Sequence, residues 1–304
     1  MGEMKMHSKA LEIGQYIPIH YHFQMLSDSD RMNSFKTAID MAVKPGYKVA
    51  ELGCGTGVMS YLAASKGAQV WSVEYNPELV SASRKFISEN NMSDKVKIYH
   101  GDATNWLPPE PVDLVICEML HSALLREKQV KVIEAFRKAH HARFGSIPKF
   151  MPNATLLAVQ PVNQLYDFYG YYAPVPFFQS AYHNAVDCEA LGDPAVYKIV
   201  DYDNASEESY KSKVSIVVNQ DSELNALRFI TKSLMSMDFK TGKTVDWHNQ
   251  HLVLPLPYTY NVKAGQSINL SFDYRPGDSI DILQNSLSIK LKNPASTEKE
   301  FLIA

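Results

Sequence analysis

Two acids, Glu118 and Glu127, bracket the run Met119-Leu120-His121-Ser122-Ala123-Leu124-Leu125-Arg126. The first follows an apolar stretch, 112–116, that reads as a strand, and the loop between the acids is long enough to fold back and bring both carboxylates to one pocket. Paired carboxylates grip a cationic group through charge-assisted hydrogen bonds. Glu127 by itself also reads as a first-turn acid of the helix that continues through Val130, Ile133 and Phe136, and spacing alone leaves both readings open. Upstream, Gly53, Gly55 and Gly57 alternate where an apolar strand turns into a helix. Bare main-chain N–H groups and the positive helix end can there approach a ligand closely. The third glycine comes one residue too early for a dinucleotide loop, with Val58 in place of the last glycine, which disfavours a pyrophosphate. Glu51, two residues before Gly53, points the same way, since it would repel pyrophosphate and could hold a cationic amine.

Such residues need a sheet edge to hold them. From Tyr47 to about Lys149, short apolar strands at 49–52, 69–73, 96–99 and 112–116 alternate with helices, the pattern of a parallel sheet with helical crossovers. Ligands of open α/β sheets lie beyond the carboxyl ends of the strands. Those ends carry Glu74, suited to accept hydrogen bonds from a ribose, and Asp102-Ala103, where the carboxylate either meets an adenine amino group or caps a turn. Asn76-Pro77-Glu78 opens a helix with cap, proline and first-turn acid in their preferred places. Ser27 and Asp30 read as a capping arrangement for a helix with Met32, Phe35, Ile39 and Ala42 on one face, and Pro18 interrupts any long helix before it. After Pro152 come β-type runs at 155–159, 196–202, 214–218, 227–231, 252–256, 268–274 and 287–291, broken by turn sequences. They predict an antiparallel barrel or sandwich, giving two domains, 1–150 and 151–304.

The 304-residue chain is 45% hydrophobic and 21% charged with a net charge of −3, which argues against wholesale binding to nucleic acid or to an acidic membrane. Cys54, Cys117 and Cys188 are far apart, fitting a reducing compartment with neither a disulfide framework nor a zinc site. His20 and His22 have no carboxylate or cysteine nearby in sequence to complete a metal site. No stretch reaches the roughly 18 apolar residues of a membrane span. A cytoplasmic, metal-free protein is expected.

The spacing E-x-G-x-G-x-G from Glu51 to Gly57 resembles motif I of the Rossmann-like methyltransferases, whose cofactor is S-adenosylmethionine (AdoMet). The stretch from Glu118 to Glu127 resembles the double-glutamate loop of the protein arginine methyltransferases, in which two glutamates grip a substrate guanidinium. Met25-Leu26-Ser27-Asp28-Ser29-Asp30-Arg31 resembles the family's pre-loop helix, Tyr16 falls where the family has a tyrosine of its N-terminal aromatic motif, and 150–157 resembles the junction into its β-barrel. Trp247 matches the tryptophan of its Thr-His-Trp loop. The resemblance implies a Rossmann-like AdoMet-binding domain followed by an antiparallel β-barrel. It places Arg31, Glu51, Gly53, Gly55, Gly57, Glu74, Asp102 and Ala103 on the cofactor, with Arg31 meeting its carboxylate. Glu118 and Glu127 become the catalytic pair, with Tyr16, His121, Asp246 and Trp247 around the substrate. The aromatic stretch 163–193 stands where the family has a dimerisation arm, which implies a homodimer.

The departures concern the substrate. Asp246 stands where the family has histidine, His121 and Ser122 replace glycine and tyrosine, Ile13 and Gly14 lie near Tyr16 in place of its usual partner, and Arg126 could neutralise Glu127 in an ion pair. The expected activity is AdoMet-dependent N-methylation of a guanidino or amino group of a small molecule or peptide, with His121 or His248 available as base for an amine. O-methylation of a small hydroxylated metabolite and a non-catalytic AdoMet-binding scaffold are the alternatives.

Overall fold

The computed structural model describes residues 17–182, 187–238 and 240–293. Helices α1 (Ile19–Ser27) and α2 (Ser29–Ala42) come first. Pro18 does not interrupt α1 but directly precedes it, and α2 is capped one residue later than expected, by Asp28, whose carboxylate accepts the Arg31 N–H at 2.9 Å. Phe35, Ala38 and Ile39 bury one face of α2.

There follow β1 (Lys48–Leu52), α3 (Val58–Ser65), β2 (Gln69–Glu74), α4 (Pro77–Glu89), β3 (Val96–His100), β4 (Leu114–Cys117), α5 (Gln129–Phe144) and β5 (Lys149–Met151). The strands form a parallel sheet in the order β3-β2-β1-β4-β5. The chain builds outward from β1 to β3, then crosses to β4, so the connections leaving β1 and β4 run in opposite directions. Their carboxyl ends open a crevice at this switch point. Asn76 caps α4 as its spacing predicts, accepting the Glu78 N–H at 3.0 Å.

The second half contains β6 (Ala154–Gln164), β7 (Asp167–Phe168), β8 (Tyr171–Tyr172), β9 (Phe177–Gln179), β10 (Cys188–Ala190), β11 (Ala195–Asp201), β12 (Tyr210–Val217), β13 (Ser222–Asp238), β14 (Lys243–His248), β15 (His251–Val262), β16 (Ser267–Tyr274), α6 (Ile280–Ser286) and β17 (Ser288–Lys292). A seven-stranded antiparallel sheet takes β6, β9, β10, β11, β13, β14 and β15, and a three-stranded one takes β12, β16 and β17. Their facing rings meet, Tyr197 against Phe272 at 5.0 Å and Phe229 against Phe272 at 5.5 Å between centroids. This is the Rossmann-like sheet followed by the barrel-type β half that the sequence predicts. Five strands of this half, β7, β8, β9, β10 and β14, were not expected; β14 pairs with the far end of the long β13 and turns Trp247 into the core, where its ring lies 6.1 Å from Phe35 of α2. The hydrophobic core therefore runs without a break from the parallel sheet into the β half. Among the described residues no helix is long and apolar enough to cross a membrane.

Candidate active site

A cavity of about 780 Å³ follows the carboxyl edges of the parallel strands and reaches α1, α2, the 118–127 loop and the end of β14. On the β2 side its floor is the glycine turn. Gly53 (φ 73°) and Gly55 (φ 52°) sit in the left-handed region. A Cβ at Gly53 would lie 2.6 Å from Met119 Cε, and one at Gly55 2.9 Å from the His22 ring. The positive φ is what calls for glycine at both positions, whereas Gly57 plays another part: it lies outside the cavity wall, caps α3 and lets that helix pack on Ser83 and Ile87 of α4. Glu74 orders this turn. Its Oε2 accepts the Gly55 N–H at 2.9 Å and its Oε1 the Asn76 N–H at 2.8 Å, leaving each oxygen a second lone pair for a ligand. Asp102 also lines the cavity while its carboxylate accepts the Thr104 N–H and hydroxyl, so the turn cap is formed and Ala103 is buried behind it.

Glu51 is at the bottom of the cavity, almost wholly buried, and accepts the Ser60 hydroxyl, which in turn meets Ser72 Oγ. Burial pushes its carboxyl up to about 8. Rather than an open anion, it is a protonated or hydrogen-bonded group until a cation comes near. His22, on α1, closes the cavity from above. Its Nε2 is buried and unpartnered, and burial lowers the ring's pKa so that it is neutral.

On the β4 side stand the two acids. Glu118 is ion-paired with Arg31, whose guanidinium also donates to the Met25 carbonyl at 3.1 Å and lies 5.5 Å from the Phe35 ring centre. Glu127 precedes α5 and is not one of its first-turn residues. Its carboxylate has no ion pair among the described residues, and burial together with the Glu118 charge pushes it up to about 8. The loop that joins them is held from both sides. Buried Gln129 accepts the Met119 N–H and donates to the Cys117 carbonyl, both at 2.8 Å. From the β half, Asn249 donates to the Leu120 carbonyl, Thr231 accepts the Ala123 N–H, Tyr274 donates to the Ala123 carbonyl, and Gly277 and Asp278 bond Leu124 and Arg126. Ala123, Leu124 and Arg126 have φ of 56°, 55° and 63°, a conformation such residues keep only where their surroundings enforce it.

A family model described as a methyltransferase domain matches residues 49–141, from β1 into α5. An uncharacterised protein of Methanocaldococcus jannaschii is 25% identical over 267 residues, 88% of this chain and 96% of that one. An arginine N(omega)-methyltransferase of Streptomyces achromogenes is 32% identical over 112 residues, 35% of this chain and 31% of that one. In fold, protein arginine methyltransferase 10 of Arabidopsis thaliana superposes with a TM-score of 0.77 at 17% identity, covering 93% of this chain and 95% of that one. This chain is an AdoMet-dependent methyltransferase, similar to arginine methyltransferases.

The methyltransferase brings most of the expected residues to one cavity: Arg31, Glu51, Gly53, Gly55, Glu74, Asp102, Ala103, Glu118, Glu127 and Trp247 all line it. Four expectations need correction, the first being Gly57, which was placed on the cofactor and lies outside the cavity wall. Asp246 points away from the cavity and pairs with Lys232 at 2.6 Å, because strand neighbours face opposite sides and Trp247 takes the inward one. His121 is outside the wall, edge-on to Phe178 at 5.2 Å, and burial pushes its imidazole down to about 4. Arg126 forms no ion pair with Glu127. Tyr16 lies outside the described residues. Sequence reasoning missed His22 and Gln129 as working residues. The signal for Gln129 was a lone amide at the start of an otherwise apolar helix face.

Proposed function

We propose that this methyltransferase methylates a guanidino nitrogen, with an amino nitrogen as the second choice. The observation that carries it is one cavity holding the glycine turn with Glu74 and, beyond it, Glu118 and an unpaired Glu127. The residues fit the cofactor: a glycine turn with positive φ at Gly53 and Gly55, a carboxylate with spare lone pairs, and a buried unpartnered His22 nitrogen. Gly53, Gly55, Glu74 and His22 would hold its adenosine part, and Arg31 its carboxylate. AdoMet, when bound, supplies a methyl group on a positively charged sulfur. The chain's own task is then to align the acceptor nitrogen and neutralise its cation. Glu118 and Glu127 do this by binding the guanidinium nitrogens that do not react, leaving electron density on the one that does. His248 is the only one of the two suggested bases at the cavity wall, with its pKa lowered by burial, which favours the neutral form an amine acceptor would need. Turnover to S-adenosylhomocysteine with a panel of guanidines, amines and phenols tests the reading, and use of phenols alone would sink it.

The raised Glu127 gives a pH signature. A guanidinium, with a pKa above about 12, stays charged throughout, so acceptor capture requires Glu127 to be the anion. Its pKa lies near 8, so the anion, and with it kcat/KM, falls as pH drops below that value and levels off above it. A kcat/KM profile flat from pH 6 to 9 in the native enzyme, or an acid limb that persists unchanged in Glu127→Gln, contradicts the assignment.

We also propose assembly as a homodimer through the 163–193 insertion. Its β7–β8 hairpin holds Phe168, Tyr169, Tyr171 and Tyr172 in solvent while Tyr166 is buried beneath, and exposed aromatic patches of this kind mark interaction sites. Replacing Phe168, Tyr171 and Tyr172 with serine should turn a dimer into a monomer by light-scattering mass. A native chain already monomeric at micromolar concentration refutes the arm.

A further inference from the structure

The charges around Glu127 narrow the acceptor further, an inference that rests on the guanidino reading above. Three cations, Arg126, Lys128 and Lys131, line the same cavity as the two acids. Arg126 is held there at some cost. Its φ of 63° is a strained conformation for a residue with a side chain. The β half fixes it through the Asp278 carbonyl, which accepts the Arg126 N–H at 2.9 Å, and through Gly277, which donates to the Leu124 carbonyl at 2.8 Å. A loop that only had to deliver Glu127 could place any polar residue at the preceding position. Here the position carries an arginine that lines the cavity and whose guanidinium has no ion-pair or hydrogen-bond acceptor among the described residues.

The balance of charge is the second observation. Glu118 is already matched by Arg31, which leaves Glu127 as the one of the two acids without an ion pair among the described residues. Against these stand Arg126 and Lys131 of the same wall. A bare monocation would find its grip at the acids and repulsion beside them, whereas a molecule with its own anionic group satisfies both. Arg126 and Glu127 are consecutive residues of the one cavity wall.

We propose that the acceptor is a small guanidino carboxylic acid, such as free arginine, whose guanidinium meets Glu118 and Glu127 while its carboxylate meets Arg126 and Lys131. An arginine inside a peptide has no free carboxylate to offer. The cations then act as specificity residues, selecting against peptides.

The test gives the full-length protein AdoMet and three guanidines: L-arginine, agmatine, which lacks the carboxylate, and acetyl-Gly-Arg-Gly-amide, in which it is blocked. Production of S-adenosylhomocysteine is followed, and binding of L-arginine and agmatine is measured by calorimetry with S-adenosylhomocysteine present. The kcat/KM for arginine should exceed that for the other two by about tenfold or more, through KM, as a charge-assisted contact predicts. Arg126→Gln keeps the Cβ and the backbone geometry and should bring the arginine-to-agmatine ratio close to one in both turnover and binding. Arg126→Lys should restore part of it, and Lys131→Gln, a change on an exposed helix face, should reduce it independently. Agmatine or the peptide used as well as arginine overturns the carboxylate assignment and leaves the guanidino reading standing. An Arg126→Gln enzyme that keeps its preference overturns it too. Turnover of phenols or amines with no guanidine accepted overturns both.

Discussion

Glu127→Gln should lower kcat/KM for the acceptor by roughly ten- to a hundredfold while leaving AdoMet affinity within about twofold of its native value. The amide keeps the size of the side chain but removes the charge, and a charge-assisted contact contributes on the order of 1.5 to 3 kcal/mol. Because Glu127 has no ion pair among the described residues, the change leaves no orphaned cation behind. Glu118→Gln is a less clean probe. It would release the buried Arg31 guanidinium that Glu118 now holds, and so should disturb cofactor and acceptor together. Steady-state kinetics with calorimetry on AdoMet separates the two outcomes. Full activity in Glu127→Gln would return that residue to a structural part and make O-methylation the better reading.

Glu74→Gln should do the reverse, weakening AdoMet by about ten- to a hundredfold, with little change in acceptor KM at saturating cofactor. Both carboxylate oxygens of Glu74 accept backbone N–H groups, from Gly55 and Asn76. The substitution turns one of them into a donor, so an N–H must face an N–H and the glycine turn loses its anchor as well as its spare acceptors. A Glu74→Gln enzyme that binds AdoMet as tightly as the native chain would show that the ribose is held elsewhere.

Much of this was readable from the chain because the parallel half speaks through local signals. Asn76-Pro77-Glu78 marks a helix start, the alternating glycines mark a turn, and apolar runs ending in Glu74, Asp102 and Cys117-Glu118 mark strand ends, which the fold brings to one edge. The errors share a physical origin in contacts distant along the chain. Lys243-Thr244-Val245-Asp246-Trp247-His248 has no apolar alternation strong enough to announce a strand, and once it is one, neighbours must face opposite ways, which takes Asp246 out of the site. His121 packs against Phe178 outside the cavity, and beside it Ala123 and Leu124 adopt positive φ, which no residue type there predicts, where Thr231 and Tyr274 bond Ala123. His22 was hidden by Pro18, read as an interruption when it is the residue from which α1 starts.

The bonds from Thr231, Asn249, Tyr274, Gly277 and Asp278 to the acid loop bear on how such an enzyme can change over generations. The stretch from Met119 to Arg126 is encoded with the cofactor half, yet its shape is dictated by residues encoded more than a hundred positions later. A lineage cannot acquire a new acceptor by exchanging the β half as an interchangeable attachment, since the incoming piece would also have to supply the partners that hold Glu127 and Arg126 in place. A change of acceptor that reshapes this loop therefore calls for matching changes in both halves, at the loop and at the residues that bond to it.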